Sequence, residues 1–265
     1  MPTFRTTENG DATLRYLDSG ADDAAAPIVF VPGFTCVADD YTEVLPLLGR
    51  RTVVVELRGH GASTAPGGSF DSAAIAADVG AVIDAVTDGP VHLMTFSRGT
   101  TYALTWALAH PDRVHSISIG DYTPAEIELS GDVMRGLLDG RWRGTPVGGR
   151  VDRAAALATA HAARARSLWE PLAHWQPPML AVRSPNAPVV DDAAWDRYRQ
   201  LFPGAALHEF ADSPHDIFRP DRGRYPLLVR ALADAVDPPQ PSPLGADVTS
   251  ADLTARPQAA RRHGA

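Results

Sequence analysis

The chain has 265 residues, 45% of them apolar, and a formal net charge of −8 at pH 7. This length and composition allow one substantial core, and the acidic balance argues against a nucleic-acid-binding protein. The single cysteine, Cys36, cannot form an intrachain disulfide, the first residues lack the apolar core of a signal peptide, and no stretch has the roughly 18–20 apolar residues of a membrane span. We therefore expect a cytoplasmic, single-domain protein that binds neither membranes nor nucleic acid.

Short apolar runs alternate with helical patterns along most of the chain. TLRYLD, PIVFVPG and TVVVELRG predict strands, and FDSAAIAADVGAVIDAVTD, with apolar residues at three- and four-residue intervals, predicts a helix. A strand at VHLMTF, a helix at GTTYALTWALAH and a strand at VHSISIGD follow. Strands that alternate with crossover helices favour an α/β fold with a mostly parallel sheet covered by helices on both faces.

The pattern changes between about residues 124 and 175, where the strand signal disappears. We predict helices here, containing Trp142, Trp169 and Trp175, and interpret the region as a short helical cap inserted into the α/β domain. Beyond it the alternation resumes with PPMLAVRS, DDAAWDRYRQLF, ALHEFAD and YPLLVRALADAV.

The end of the chain has a different composition from the rest. Residues 238–265 are rich in Pro, Ala and polar residues, a composition that cannot readily bury enough apolar surface to offset the entropy lost on ordering. We predict a single domain over residues 1–237 and a flexible tail over 238–265, dispensable beyond Val236.

Polar residues follow the ends of several predicted strands. Ligands of an open parallel sheet collect at the carboxyl ends of its strands, so these residues are candidates for a common site. A nucleophilic serine needs a base, the base needs an orienting acid, and the oxyanion needs backbone N–H donors. We expect Ser97 as nucleophile, His215 as base, Asp121 as acid, and the amides of Phe34 and Arg98 as the oxyanion hole. The alternative for each is structural: a helix cap, a loop histidine and a turn-capping aspartate.

Four motifs, in order along the chain, resemble those of the α/β-hydrolase superfamily over roughly residues 10–236. VPGF stands in the place of the oxyanion loop, ELRGHGAS resembles the turn after strand four, TFSRG resembles a degenerate G-x-S-x-G elbow, and DSPHDIFRP resembles the catalytic-histidine loop. The resemblance implies the α/β-hydrolase fold with a short helical cap, and a mechanism without a cofactor. The nine histidines are scattered without a metal-ligand spacing, so we expect no metal.

The position of the acid departs from the common family pattern, which places it after strand seven. Here that segment reads RSPNAPVV, with Ala187 at the aligned position, while Asp191 and Asp192 are placed to start the next helix. A smaller esterase branch of the superfamily has its acid after strand six and a similar strand-seven exit. That resemblance favours Asp121, with Asp191 or Asp192 as the alternative.

Two further departures concern the elbow and the oxyanion loop. Thr95 replaces the glycine usually found two residues before the serine, and Pro32 replaces the usual histidine. Neither excludes catalysis, because the oxyanion donors are backbone groups. The side chain of Arg98 could lie under the cap, bind a substrate carboxylate or pair with a structural acid.

The leading functional hypothesis is a serine hydrolase that cleaves an ester, thioester or lactone through an acyl-enzyme. The alternatives are a non-hydrolytic enzyme on the same scaffold (a cyclase, lyase or cofactor-independent oxygenase) that uses His215 and Asp121 as a base pair, and a binding protein with a vestigial triad. We expect a small-molecule substrate that binds at the cap: the cap, including Trp142, forms the wall of an apolar acyl pocket, and Arg141 and Arg143 contact an anionic part of the substrate. The alternative is that these arginines lie on a solvated surface and the tryptophan only packs the cap. The oligomeric state is left open.

Overall fold

Eight strands form one sheet in the computed structural model, which describes residues 1–20, 25–187 and 189–238. The strands are Thr3–Asn9 (β1), Ala12–Asp18 (β2), Ile28–Val31 (β3), Thr52–Val55 (β4), Val91–Phe96 (β5), Val114–Gly120 (β6), Met179–Arg183 (β7) and Ala206–Glu209 (β8). Their order across the sheet is β1-β2-β4-β3-β5-β6-β7-β8. The pairs β1–β2 and β2–β4 are antiparallel and the other neighbours are parallel. The predicted α/β class with a mostly parallel sheet is confirmed.

Helices cover both faces of this sheet. The α-helices of the described residues are Ser72–Val86 (α1), Gly99–Ala109 (α2), Gly131–Asp139 (α3), Arg153–Ala162 (α4), Trp169–Trp175 (α5), Asp192–Leu201 (α6) and Arg224–Val236 (α7). A 3₁₀ helix spans Ala38–Leu48. Buried side chains of α1, α2, α5 and α6 join one core cluster, and those of α7 and the 3₁₀ helix join the other. The sheet therefore separates two apolar cores, as expected for parallel strands buried on both faces.

The short strand β3 shows how its sequence divides between the two cores. Val29 and Val31 belong to the cluster with α1 and α2, whereas Ile28 and Phe30 belong to the cluster with α7. Successive side chains of a strand point to opposite faces, so a continuous apolar run is required where both faces are covered. Such a buried run also fixes the register of the neighbouring strands.

Strand β1 was absent from the sequence prediction, which began with TLRYLD. Its sequence, TFRTTEN, lacks an apolar alternation, and most of its residues are exposed. It pairs antiparallel along its whole length with β2, and the connecting turn contains Gly10 with a left-handed φ of 63°. A polar strand at the sheet edge resists pairing with other chains, which explains the missing apolar signal.

The predicted cap range, 124–175, contains short strands as well as helices, and its helices do not all pack in the same place. Helices α3 and α4 pack together over Phe34 in a separate small core. Trp142 lies in a two-residue strand, paired with Thr145–Pro146, and not in a helix as predicted. The ring of Trp169 in α5 packs on Tyr198 in the main core, with ring centroids 4.7 Å apart. The part that lies over the sheet edge near Phe34 is therefore α3, the short hairpin and α4.

The C-terminal end of α7 is tied to the sheet by Asp237. Its carboxylate accepts hydrogen bonds from the Ala26 amide at 2.9 Å and from the Arg50 Nη1 at 3.2 Å, and its carbonyl accepts one from the Arg50 Nη2 at 2.9 Å. These contacts argue against the prediction that the chain is dispensable beyond Val236, because loss of Asp237 would leave a buried guanidinium with fewer partners. The rest of the predicted tail, from residue 239, lies outside the described residues.

Candidate active site

Ser97 lies on the sharp corner between β5 and α2. Its φ of 51° is in the left-handed region, and its amide donates to the Gly120 carbonyl at 2.8 Å. At Gly99 a Cβ atom would come within 2.3 Å of the Val31 and Pro32 carbonyl oxygens. The corner therefore requires a glycine where the start of α2 crosses the end of β3, and it lifts the serine hydroxyl clear of the sheet.

Thr95 explains how the elbow accommodates a residue other than glycine. Its side chain is fully buried, and its hydroxyl forms hydrogen bonds with the Ser118 carbonyl at 3.1 Å and with the Thr100 hydroxyl at 2.8 Å. A buried hydroxyl with two partners carries little desolvation cost. The threonine therefore links β5, β6 and α2 beneath the serine.

Three side chains from separate strand ends form one hydrogen-bonded chain. His215 Nε2 lies 2.9 Å from Ser97 Oγ, and His215 Nδ1 lies 2.7 Å from Asp121 Oδ2. These are the contacts that a serine–histidine–aspartate triad requires. Ser97 lies 118 positions and Asp121 lies 94 positions before His215 in the sequence. The three residues meet because the ends of parallel strands share one edge of the sheet.

Asp121 is held rigidly beneath His215. Its φ is 45°, its amide donates to the Val182 carbonyl at 2.7 Å, and its Oδ1 accepts from the Ser184 amide at 2.8 Å. The side chain is fully buried, so both oxygens have a partner and neither faces water. The left-handed backbone, unusual for a residue other than glycine, aims the carboxylate from the end of β6 toward the histidine.

The alternative acids lie elsewhere. Asp191 is the N-cap of α6, where its carboxylate accepts from the Ala194 amide at 2.8 Å. Asp192 is exposed in the first turn of the same helix and pairs with Arg183. The structure thus gives these two residues the helix-start role that their sequence position favoured.

The expected oxyanion donors flank the serine on two loops. Among the described residues, no protein group accepts a hydrogen bond from the amide of Phe34 or of Arg98. The carbonyl of Phe34 contacts His60 Nε2, and the two rings meet edge to face with centroids 4.9 Å apart. Burial lowers the pKa of His60, and its contacts with the Arg58 and Phe34 carbonyls support the oxyanion loop from behind.

A cavity of about 320 Å³ opens in front of Ser97 and beneath the cap. Its wall is mostly apolar, with Phe96 stacked on His215 at a ring-centroid distance of 5.1 Å. The cap and the adjoining loops contribute Leu129, Leu137, Arg141, Trp142, Val147 and Val189. An apolar pocket with a few convergent polar groups has the usual character of a small-molecule site.

The side chain of Arg98 turns under the cap. It is buried, its Nε donates to the Tyr102 hydroxyl at 3.0 Å, and its Nη1 donates to the Ile127 carbonyl at 2.9 Å. Within the described residues it has no carboxylate within 4 Å. Of the three options left open by the sequence, the structure places this guanidinium under the cap, bonded to neutral groups.

The three predicted substrate contacts in the cap separate into two groups. Arg141 and Trp142 line the cavity. Arg143 does not: its Nε and Nη2 each lie 2.7 Å from an oxygen of Asp216, and its Nη1 donates to the Asp40 carbonyl at 2.8 Å. The expectation that Arg143 contacts the substrate is therefore wrong, because protein groups already occupy all three of its nitrogens.

Sequence reasoning missed the role of Asp40 in the 3₁₀ helix that follows the oxyanion loop. Its carboxylate accepts from Arg150 at 2.6 Å, and its carbonyl accepts from both Arg143 and Arg222. The partners come from the cap and from the segment after His215. No local pattern signals such a cluster, because each of the three arginines lies more than 100 positions from Asp40.

The described residues contain no group of three or more His, Cys, Asp or Glu side chains arranged to hold a metal ion. None of the helices among them has the length and apolar content of a membrane span. Cys36 is buried, and burial raises the pKa of its thiol to about 12, so it has little thiolate character.

A family comparison agrees with this geometry. Residues 26–184 match the model of the family described as "alpha/beta hydrolase fold". The chain is an α/β-hydrolase. The match covers the elbow, the oxyanion loop and Asp121, and it ends before His215.

This α/β-hydrolase has curated relatives over part of its length. It is 29% identical over 122 residues to 2-(acetamidomethylene)succinate hydrolase of Mesorhizobium japonicum, covering 46% of this chain and 40% of the relative. It is 30% identical over 130 residues to fluoroacetate dehalogenase of a Burkholderia species, covering 46% of this chain and 42% of the relative. The matched segments thus span less than half of either relative.

Solved structures share the fold over nearly the whole domain. The enol-lactonase from Burkholderia xenovorans LB400 superimposes with a TM-score of 0.74 over 86% of this chain and 99% of that chain, at 17% sequence identity. At this identity the likeness establishes the α/β-hydrolase fold alone.

Proposed function

We propose that this α/β-hydrolase cleaves an ester, thioester or lactone through an acyl-enzyme formed on Ser97. The observation that carries the proposal is the continuous hydrogen-bonded chain from Asp121 through His215 to Ser97 at the floor of an apolar cavity. The proposed base is in contact with both the proposed nucleophile and the proposed acid. A binding protein would not need this order of groups.

In the proposed acylation step, Ser97 Oγ attacks the carbonyl carbon as His215 Nε2 accepts its proton. Asp121 fixes the tautomer with the other proton on Nδ1 and stabilises the imidazolium that forms. The negative charge that develops on the carbonyl oxygen is bound by the amides of Phe34 and Arg98, which have no protein acceptor in the described part of the chain. His215 then returns the proton to the leaving oxygen or sulfur.

Deacylation uses the same groups in reverse. A water molecule gives its proton to His215 and attacks the acyl carbon, and Ser97 leaves as its oxygen regains the proton. The side chain of His215 is 29% exposed, so water can reach the base without a rearrangement of the core. The stacked ring of Phe96 restricts the imidazole on one face and keeps it in the plane shared by its two partners.

The name of one structural neighbour agrees with this reaction class, and the names of two relatives refer to small carboxylates. One structural neighbour is named an enol-lactonase, and two relatives are named for the carboxylates 2-(acetamidomethylene)succinate and fluoroacetate. The cavity of about 320 Å³ would accommodate a small ester or lactone. We therefore propose a low-molecular-weight substrate rather than a polymer.

Covalent labelling with a fluorophosphonate tests this proposal directly. The expected result is one adduct per chain, located on the peptide that contains Ser97, together with loss of hydrolysis of small activated esters. Ser97→Ala should abolish both the labelling and the ester hydrolysis. Ser213→Ala is the matched control and should keep both. The hydroxyl that it removes lies in the histidine loop, is buried, and has no hydrogen-bond partner among the described residues. Normal ester hydrolysis by purified Ser97→Ala protein would contradict the assignment.

A further inference from the structure

The two charged residues that line the cavity in front of Ser97, apart from the histidine of the triad, are both arginines. Its wall includes two guanidinium-bearing residues, Arg98 and Arg141, and no aspartate or glutamate among the described lining residues. The chain as a whole has 32 acidic and 24 basic residues, so the lining of this cavity has the opposite charge balance to the whole chain. A low-dielectric cleft with one sign of charge concentrates ligands of the opposite sign.

Arg141 differs from most of its neighbours in having no acidic partner. Five of the seven arginines between residues 135 and 166 form an ion pair within 4 Å. These pairs are Arg135–Asp132, Arg143–Asp216, Arg150–Asp40, Arg153–Asp139 and Arg166–Glu126. The two exceptions among the described residues are Arg141 and Arg164, and only Arg141 lines the cavity in front of Ser97.

Arg141 makes one hydrogen bond within the described part of the chain, which leaves donors free. Its Nη1 donates to the Gly144 carbonyl across the hairpin at 3.1 Å, a contact that orients the side chain without neutralising it. A guanidinium has five N–H donors, so the side chain retains enough of them to bind a carboxylate in a bidentate manner.

The backbone that carries Arg141 is fixed in place. The hairpin turn contains Arg143. Its guanidinium is bound by both carboxylate oxygens of Asp216 and lies near the rings of Tyr41 and Phe218. A cation on a fixed hairpin loses less entropy on binding than one on a free loop.

Arg98 adds positive potential from the floor of the cavity. Its guanidinium is buried, donates hydrogen bonds to the oxygens of Tyr102 and Ile127, and also interacts electrostatically with Glu126, which forms no ion pair with it within 4 Å. A buried charge without an ion pair is screened weakly, so its field extends into the adjacent cavity. An anionic group at Arg141 would therefore also be attracted by Arg98.

We infer that the substrate carries a carboxylate, which Arg141 binds while the scissile carbonyl lies on Ser97. This inference rests on the proposed hydrolase function and adds the chemical class of the substrate to it. A neutral substrate of the same size would bind without this contact.

Two matched pairs of esters test the inference and identify the side of the substrate that is bound. In the first pair the carboxylate is in the acyl part: p-nitrophenyl hemiglutarate against its methyl ester. In the second it is in the leaving group: 4-carboxyphenyl butyrate against its methyl ester. The quantity measured is the ratio of kcat/KM for the anionic ester to that for the neutral ester.

In at least one pair, Arg141→Gln should lower this ratio about tenfold, as expected for the loss of one charge-assisted contact. Arg141→Lys should retain part of the preference, and the wild-type ratio should fall as salt is added. Arg164→Gln is the control and should leave the ratio unchanged, since that cation also has no ion pair with the described residues but lies outside the cavity.

An unchanged ratio in both pairs for Arg141→Gln would overturn the inference and leave the hydrolase proposal intact. Failure of the wild-type protein to hydrolyse any of the four esters, together with no fluorophosphonate adduct on Ser97, would instead overturn both.

Discussion

Arg143 and Asp216 form a bidentate ion pair that joins the cap hairpin to the residue immediately after His215. Arg143 is the first turn residue of that hairpin and has a left-handed φ of 48°, a conformation that is uncommon for arginine. Burial opposes the charged form, but Asp216 more than compensates and raises the pKa of Arg143 above its ordinary value. The pair therefore sets the position of the hairpin relative to the histidine loop.

Removing one partner of this ion pair should destabilise the protein and reduce turnover together. Both side chains are largely buried, so Asp216→Asn should lower the free energy of unfolding by about 3 kcal/mol, because it leaves a charge without its partner. We also expect a lower kcat, since the loop that holds His215 loses its anchor. Urea unfolding and ester hydrolysis measure the two effects.

The double variant Asp216→Asn/Arg143→Met provides the control. It should be more stable than Asp216→Asn alone, because no uncompensated cation remains. Strictly additive losses of stability would show that the two residues do not act as a pair.

Asp121→Asn should reduce kcat for small esters by about 10⁴-fold with little change in KM, because the amide cannot hold His215 in the required tautomer. Asp192→Asn should leave kcat unchanged. Asp191→Asn removes a charge from the N-cap of α6 while asparagine still caps well, so it too should retain activity. The measurement is steady-state kinetics on all three purified variants. Loss of turnover in Asp191→Asn, with activity retained in Asp121→Asn, would transfer the role of the acid.

The burial of His92 leads us to expect that the protein loses stability in mild acid. Burial, reinforced by the nearby Arg50 guanidinium, lowers its pKa from 6.5 to about 4 in the folded protein. Between these values the unfolded chain binds a proton that the folded chain does not, so the free energy of unfolding should fall as the pH decreases from 6.5 to 4. The size of this effect is on the order of 3 kcal/mol.

Urea unfolding at several pH values measures this dependence. His92→Gln should flatten the stability profile between pH 6.5 and 4, since glutamine binds no proton. His174→Gln is the control, because that side chain is exposed in α5 and should leave the slope as it is. Equal slopes for the wild type and for His92→Gln would assign the acid sensitivity to other groups.

The contact of Asp237 with Arg50 predicts that the end of α7 contributes to stability. In the full chain, Asp237→Ala should lower the free energy of unfolding by about 2 kcal/mol, since it removes a charge-assisted contact from a buried guanidinium. Asp132→Ala removes an exposed ion pair of α3 and should have a much smaller effect. Thermal unfolding at neutral pH compares the two variants, and equal melting temperatures would contradict the prediction.

The sequence could predict the sheet and the three candidate triad residues because both depend on strand ends. Buried parallel strands require apolar runs, and the residues after those runs must meet at one edge of the sheet. Ser97 and Asp121 each follow such a run, His215 lies in the loop after β8, and Asp191 has the position of a helix cap. Local pattern and fold topology agree at these positions.

The ion pairs of the cap could not be predicted in this way. Arg141 and Arg143 are two positions apart and equally basic, yet only one of them is neutralised, by an aspartate 73 positions away. Strand β1 was missed because its pairing with β2, rather than its own composition, makes it a strand. Contacts between distant polar residues leave no periodic signal in the sequence.

Trp142 gives the protein a built-in optical reporter. It is one of five tryptophans and the one among them that lines the cavity in front of Ser97, where its ring faces Phe96 at a centroid distance of 5.9 Å. Its Nε1 is buried without a hydrogen-bond partner among the described residues. A molecule that enters the cavity changes the surroundings of this indole, so intrinsic fluorescence should follow ligand binding without any label, and Trp142→Phe should remove the response.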